Sequence, residues 1–347
     1  VDHLLAPRTR IRKLFVPITA AAILIFLLPA CDPNARPEAA AGGDRANPSA
    51  DAAPSLLVQR LIGATSAEPA IVAFGGKIYV VWKGIEGDPG LYFSTYDGAR
   101  WTPVQQIVGV ATSTRPAVAV LGDKLYAAWK GVDPDRGIWY SAFDGRAWAA
   151  QRPILGSVTT NGPALGVLGN KVYVAWKGPE FDPTISWRSF DGATWTAPQR
   201  IEDVATGSSP ALAAWDGNLY LVWKGPDPDR VIWYSRFDGW TWAPQRPVFG
   251  AFSDASPSIT AAYDRFYVAW KGANGDSSIF WSSFDGHNFN VPERLTDAAT
   301  NTSPGITALG HELHAAWKGI TMDPTGMYYA TGFAGEAGAV SPWVWWN

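Results

Sequence analysis

The sequence predicts an all-β fold of six four-stranded antiparallel blades closed into a ring, on three observations. The first is a repeat of 47 residues. Trp82, Trp129, Trp176, Trp223, Trp270 and Trp317 recur at that interval, each followed by Lys and Gly. Pro69, Pro116, Pro163, Pro210, Pro257 and Pro304 keep the same spacing, as do Asp97, Asp144, Asp191, Asp238 and Asp285, each followed by Gly. The second observation is a period of two inside each unit, the alternation of a strand. The third is composition: 35 Gly, 27 Pro and 19 Trp among 347 residues, with 17% charged, is too apolar for disorder and too rich in Gly and Pro for a helical chain. Six four-stranded units of this length, apolar on both faces, describe a β-propeller, and no polar capping unit marks an open stack.

Residues 1–31 come first. Arg8, Arg10, Arg12 and Lys13 precede an apolar run over 14–30, so this segment is read as a signal peptide or membrane anchor with the rest of the chain outside the cytoplasm. Cys31 closes the run after Leu28, Pro29 and Ala30, a context that resembles a bacterial lipobox and makes Cys31 the lipidation candidate. Asp32 resembles the residue associated with inner-membrane retention. Residues 32–54 are Ala, Pro and Gly with little else, a flexible linker that cannot form a core.

The propeller is expected over 55–335. In the third unit Val172, Val174 and Trp176 share one strand face while Tyr173, Ala175 and Lys177 share the other, so the strand is covered on both sides. The second unit divides into PAVAVLG, KLYAAWKG, GIWYSAFDG and AWAAQRPI. Gly122-Asp123 and Asp144-Gly145 are hairpin signals, and Pro134 places GVDPDRG in a longer loop. Trp101, Trp148, Trp195, Trp242 and Phe289 follow the Asp-Gly turns and supply apolar area between sheets. The sixth unit has Gly332 and Phe333 where Asp-Gly is expected and lacks a final strand. Residues 56–63, around Gln59-Arg60, match the QRPI and PQRI pieces that end other units and are expected to complete it. The rival is the Trp-rich tail, 336–347.

For chemistry the repeat is restrictive, since a catalytic centre is singular while these polar residues recur once per unit. A single cysteine excludes an internal disulfide and a thiolate cluster, and a net charge of -3 gives no attraction to nucleic acid. No GxGxxG, Walker, GxSxG or HExxH motif is present, and no cofactor or metal is expected. His311 and His314, three apart in an expected strand, point to opposite faces. The recurring polar pair is Lys83, Lys130, Lys177, Lys224, Lys271 and Lys318 with Asp88, Asp135, Asp182, Asp229, Asp276 and Asp323. It has three readings: a pair that fixes the loop, a set of polar pockets for glycans, or a ring that meets another protein.

SxFDGxxW, at Ser141–Trp148 and Ser235–Trp242, resembles the Asp box of sialidase-type propellers, with Asp and Gly adjacent here. The WKG, FDG and terminal aromatic elements together also resemble the bacterial propeller lectins of the multi-site, fucose-binding kind. That resemblance implies non-catalytic, metal-independent sugar sites between blades, with Tyr92, Trp139, Trp233 and Phe280 as stacking platforms, a pattern that Ser186 and Met327 interrupt.

The anchor and the repeat together lead to an expectation of a non-catalytic, membrane-tethered scaffold. It would be an accessory subunit of a bacterial inner-membrane complex, respiratory or photosynthetic, facing the periplasm. Membrane lipid would hold the N-terminal segment, and protein partners would meet the irregular sixth unit through Phe333, Trp343, Trp345 and Trp346. The alternative is a propeller lectin, anchored by lipid at the cell surface, with glycan partners; a glycosidase-like enzyme is the third reading.

Overall fold

A computed structural model describes residues 58–320 and 323–333. Among them the strands β1 to β24 form six four-stranded antiparallel sheets. The second blade represents the rest: β6 (Ala117–Leu121), β7 (Lys124–Lys130), β8 (Gly137–Phe143) and β9 (Arg152–Val158), hydrogen-bonded in that order. Because neighbouring strands are antiparallel, the tight turns after the first and third strands share one face of the ring, the turn face. The longer loop after the second strand and the linker to the next blade share the opposite, loop face.

Blades 1 to 5 each end their third strand on an Asp-Gly turn whose chemistry is local. Asp144 Oδ1 accepts the N–H groups of Arg146 and Ala147, each at 2.8 Å. Gly145 has a φ of 92°, a left-handed conformation that a Cβ would strain. Ser141 Oγ then donates to Ala149 O at 2.7 Å, and Trp148 bridges to Phe143. The SxFDGxxW motif is thereby a turn that delivers an indole to the blade boundary. There each indole meets a ring of the preceding blade edge-on: Trp101 on Tyr329, Trp148 on Phe93, Trp195 on Tyr140 and Trp242 on Trp187, at centroid distances of 5.1 to 6.1 Å.

The core is therefore a series of blade boundaries. Between blades 1 and 2, for example, Tyr79, Val81, Leu91 and Ile107 pack on Leu125, Ala127 and Trp129. The six WKG tryptophans are 0–3% exposed, so burial of each stabilises the ring by about 2–3 kcal/mol.

Ring closure uses the N-terminal strand. β1 (Gln59–Ala64) pairs with β24 (Gly326–Phe333), which lies beside β23 (Glu312–Lys318) and β22 (Gly305–Leu309). The match of Gln59-Arg60 to the QR pieces thus identifies the closing strand. The axis is narrow: Arg115 reaches across it and donates Nη2 to Pro210 O at 2.7 Å, leaving a cavity of about 80 Å³. The anchor with Cys31, the linker and the tail with Trp343, Trp345 and Trp346 lie outside the described residues. No helix among the described residues is long and apolar enough to cross a membrane.

Candidate functional site

Within each blade the recurring Lys and Asp meet the same loop by different routes. Lys83 Nζ donates to Ser66 Oγ at 2.8 Å and to the carbonyls of Gly84, Ile85 and Asp88 at 3.1–3.4 Å. Lys177 Nζ binds the carbonyls of Gly178 and Glu180, and Lys130 and Lys224 each reach an Asp three residues on, Asp133 and Asp227, at 2.7 Å. Lys271 binds Gly272 O, and Lys318 binds Asn301 Oδ1. The six lysines are 1–9% exposed, so their ammonium groups are turned inward. Burial lowers the pKa of Lys83 and Lys177.

The partner Asp instead closes the loop on the next strand. Asp88, Asp135, Asp182, Asp229 and Asp276 each accept the N–H two residues ahead, and Asp323 accepts that of Gly326. The Gly of WKG makes room for that carboxylate, since a Cβ on Gly131 would lie 2.1 Å from Asp135 Oδ2. Remaining carboxylate oxygens orient the aromatic residues: Tyr92 Oη donates to Asp88 at 2.9 Å, Trp139 Nε1 to Asp135 at 2.8 Å and Trp233 Nε1 to Asp229 at 2.9 Å.

These rings are half-buried near the loop face. Tyr92 lies over Trp82 and Phe280 over Trp270, with interplanar angles of 29° and 20°. Blade 6 corrects the sequence alignment. Its loop is one residue longer after Asp323, so Trp317 pairs with Tyr328 and Lys318 with Met327. Tyr328, at 22° to Trp317, takes the platform place, while Met327 is fully buried. In blade 3 Ser186 faces Arg200, whose Nη2 stands 3.7 Å from Asp182. Arg294 and Arg60 pair across from Phe280 and Tyr328, and Arg60 Nε binds Asp323 Oδ2 at 2.6 Å. Asp323 is consequently held below the usual carboxylate range.

On the turn face, the groove between blades 3 and 4 has a volume of about 440 Å³. Trp187, Trp240 and Trp242 line it opposite Arg200, Glu202 and Asp203. Trp240 is 89% exposed at the tip of the Asp238-Gly239 turn, where the sister residues are Ala99, Arg146, Ala193 and His287. Sequence reasoning missed Trp240, because it is a departure from the repeat; aligning the fourth turn with its sisters exposes it. His311 lies in a turn, stacked on Tyr263 at 4.3 Å, and not in a strand. His314 is buried in β23. Phe333 ends β24 with its backbone paired to Glu312.

No family model matches the chain, and no curated protein matches it. Solved structures share its fold. AofleA from Arthrobotrys oligospora superposes with a TM-score of 0.61 at 10% identity, over 81% of this chain and 87% of that one. A fungal lectin, the Aleuria aurantia lectin described as a six-bladed β-propeller with a novel fucose recognition mode, superposes at 0.60 with 13% identity, over 81% and 99%. Trypanosoma rangeli sialidase in complex with sialic acid superposes at 0.58 with 12% identity; 79% of this chain aligns with 58% of the sialidase.

Two expectations are thereby corrected. The membrane-complex scaffold gives way, because these neighbours are lectins and sialidases. The firm expectation of a chain without enzymatic activity gives way too, because sialidase structures superpose on this fold. At these identities the likeness is one of fold.

Proposed function

We propose that this chain is a carbohydrate-binding propeller whose sugar sites lie in the grooves between blades. The groove between blades 3 and 4 carries the reading. Its volume of about 440 Å³ falls within the range of about 300–1,000 Å³ usual for small-ligand sites, whereas the axial cavity of about 80 Å³ does not. A sugar ring has one apolar face and a rim of hydroxyls. The exposed indole of Trp240 offers a flat apolar surface, and Arg200, Glu202 and Asp203 offer paired donors and acceptors for the rim. The half-buried rings of Tyr92, Trp139, Trp233, Phe280 and Tyr328 supply repeated positions on the loop face, which supports more than one site per chain.

The test is a glycan array probed with the intact chain and with Trp240→Ala, alongside incubation with fluorogenic glycosides. Binding that is selective among glycans and weakened by Trp240→Ala is the expected result. Turnover of a glycoside would make the chain a hydrolase, and an array without binding would remove the carbohydrate reading.

A further inference from the structure

The groove between blades 6 and 1, also on the turn face, departs from its sisters at two positions at once. Glu312 stands where the other units have Lys77, Lys124, Lys171, Asn218 and Arg265. His314 stands where they have Tyr79, Tyr126, Tyr173, Tyr220 and Tyr267. Both side chains line a cavity of about 390 Å³ together with Tyr96, Asp97, Tyr329 and Thr331, and no described Lys or Arg lines it. The substitutions therefore exchange a basic or neutral rim for an acidic one.

The floor of this cavity holds a polar atom with no partner among the described residues. His314 is 3% exposed, and its Nδ1 is 2.5 Å from Tyr329 Oη. Its Nε2 is buried and makes no hydrogen bond among the described residues. Glu312 Oε2, which accepts the Thr331 hydroxyl at 3.2 Å, lies 3.7 Å from that nitrogen, too far for a direct bond. A donor with at least two hydrogens can satisfy both atoms at once. Tyr96 and Tyr329, with centroids 5.6 Å apart, present aromatic rings beside it, and Asp97 adds a second carboxylate.

We propose that this groove binds the protonated amine of an amino sugar. The ammonium donates to Glu312 and to His314 Nε2, in the tautomer whose proton is on Nδ1, and lies against the tyrosine rings. Only the sugar part of this assignment rests on the carbohydrate reading; the amine part rests on Glu312 and His314.

Titration calorimetry of the intact chain with D-glucosamine, N-acetyl-D-glucosamine and D-glucose, followed by side-chain ¹⁵N spectra of His314, tests it. Glu312→Lys and His314→Tyr introduce residue types that other units carry at these places, so both variants retain the fold, which circular dichroism checks. One glucosamine per chain should bind at this groove, at least about ten-fold more tightly than either neutral sugar, and shift the His314 Nε2 resonance. Each variant should weaken it by about ten-fold or more. Equal affinity for the three sugars, unchanged affinity in His314→Tyr, or no binding of glucosamine at millimolar concentration overturns the proposal. Glycan binding at the Trp240 groove without glucosamine binding here defeats this proposal alone. Glucosamine binding here with an otherwise blank glycan array defeats the general carbohydrate reading and leaves the amine site standing.

Discussion

Lys177 illustrates how the residue scale controls the loop face. Its ammonium donates to Gly178 O and Glu180 O at 3.2 and 2.8 Å from inside the blade. Lys177→Met keeps the length but leaves these carbonyls without that donor, so urea unfolding should show a loss of about 1–3 kcal/mol, with glycan binding at the turn face unchanged. Sequence spacing brings Lys and Asp to the same loop but does not reveal that the ammonium selects main-chain oxygens while the carboxylate selects the N–H two residues ahead. His314 adds a pH dependence. Burial lowers its pKa from 6.5 to about 4. The unfolded chain therefore takes up a proton near pH 6.5 that the folded chain refuses until about pH 4, and stability falls as pH falls through that window. The expected loss is about 3 kcal/mol, with Glu312 on the same strand, Tyr329 on β24, and Tyr96 and Asp97 of blade 1 as the titratable neighbours. His314→Tyr should flatten that part of the stability profile measured from pH 7 to 4, and an unaltered profile would contradict the assignment.

At the scale of elements, the fourth strand of blade 6 is the joint of the ring. β1 covers the edge of β24 and buries Leu61 at 3% exposure. A chain beginning at Ser66 leaves that edge unpaired, and edges of this kind recruit other strands. Light scattering should show association, and thermal unfolding should begin at a lower temperature than in the intact chain. If the shortened chain stays monomeric and equally stable, β1 is not the closing element. The strands themselves were legible because Asp-Gly turns and alternating residues specify them unit by unit. The longer loop of blade 6 was not, because Lys318 and Asp323 keep the repeat spacing and the extra residue follows them.

For the whole molecule, six-fold repetition and single departures serve different ends. What recurs, such as Trp129 or Asp144, builds blade boundaries and turns. What departs, such as Trp240, Glu312 and His314, sits in grooves on the turn face. A search for residues shared by all units therefore finds the architecture and passes over the richest cavities, which only the folded ring assembles from neighbouring units. The carbohydrate reading is tested most directly by titration calorimetry of the intact chain and Trp240→Ala with the glycan the array selects. Trp240 is 89% exposed, so its removal leaves the fold intact and any change reports on binding. The intact chain should bind more than one equivalent, and Trp240→Ala should lose one of them or weaken it by about ten-fold, roughly 1.4 kcal/mol. Identical stoichiometry and affinity in the two proteins would contradict the assignment of the groove between blades 3 and 4 as a sugar site.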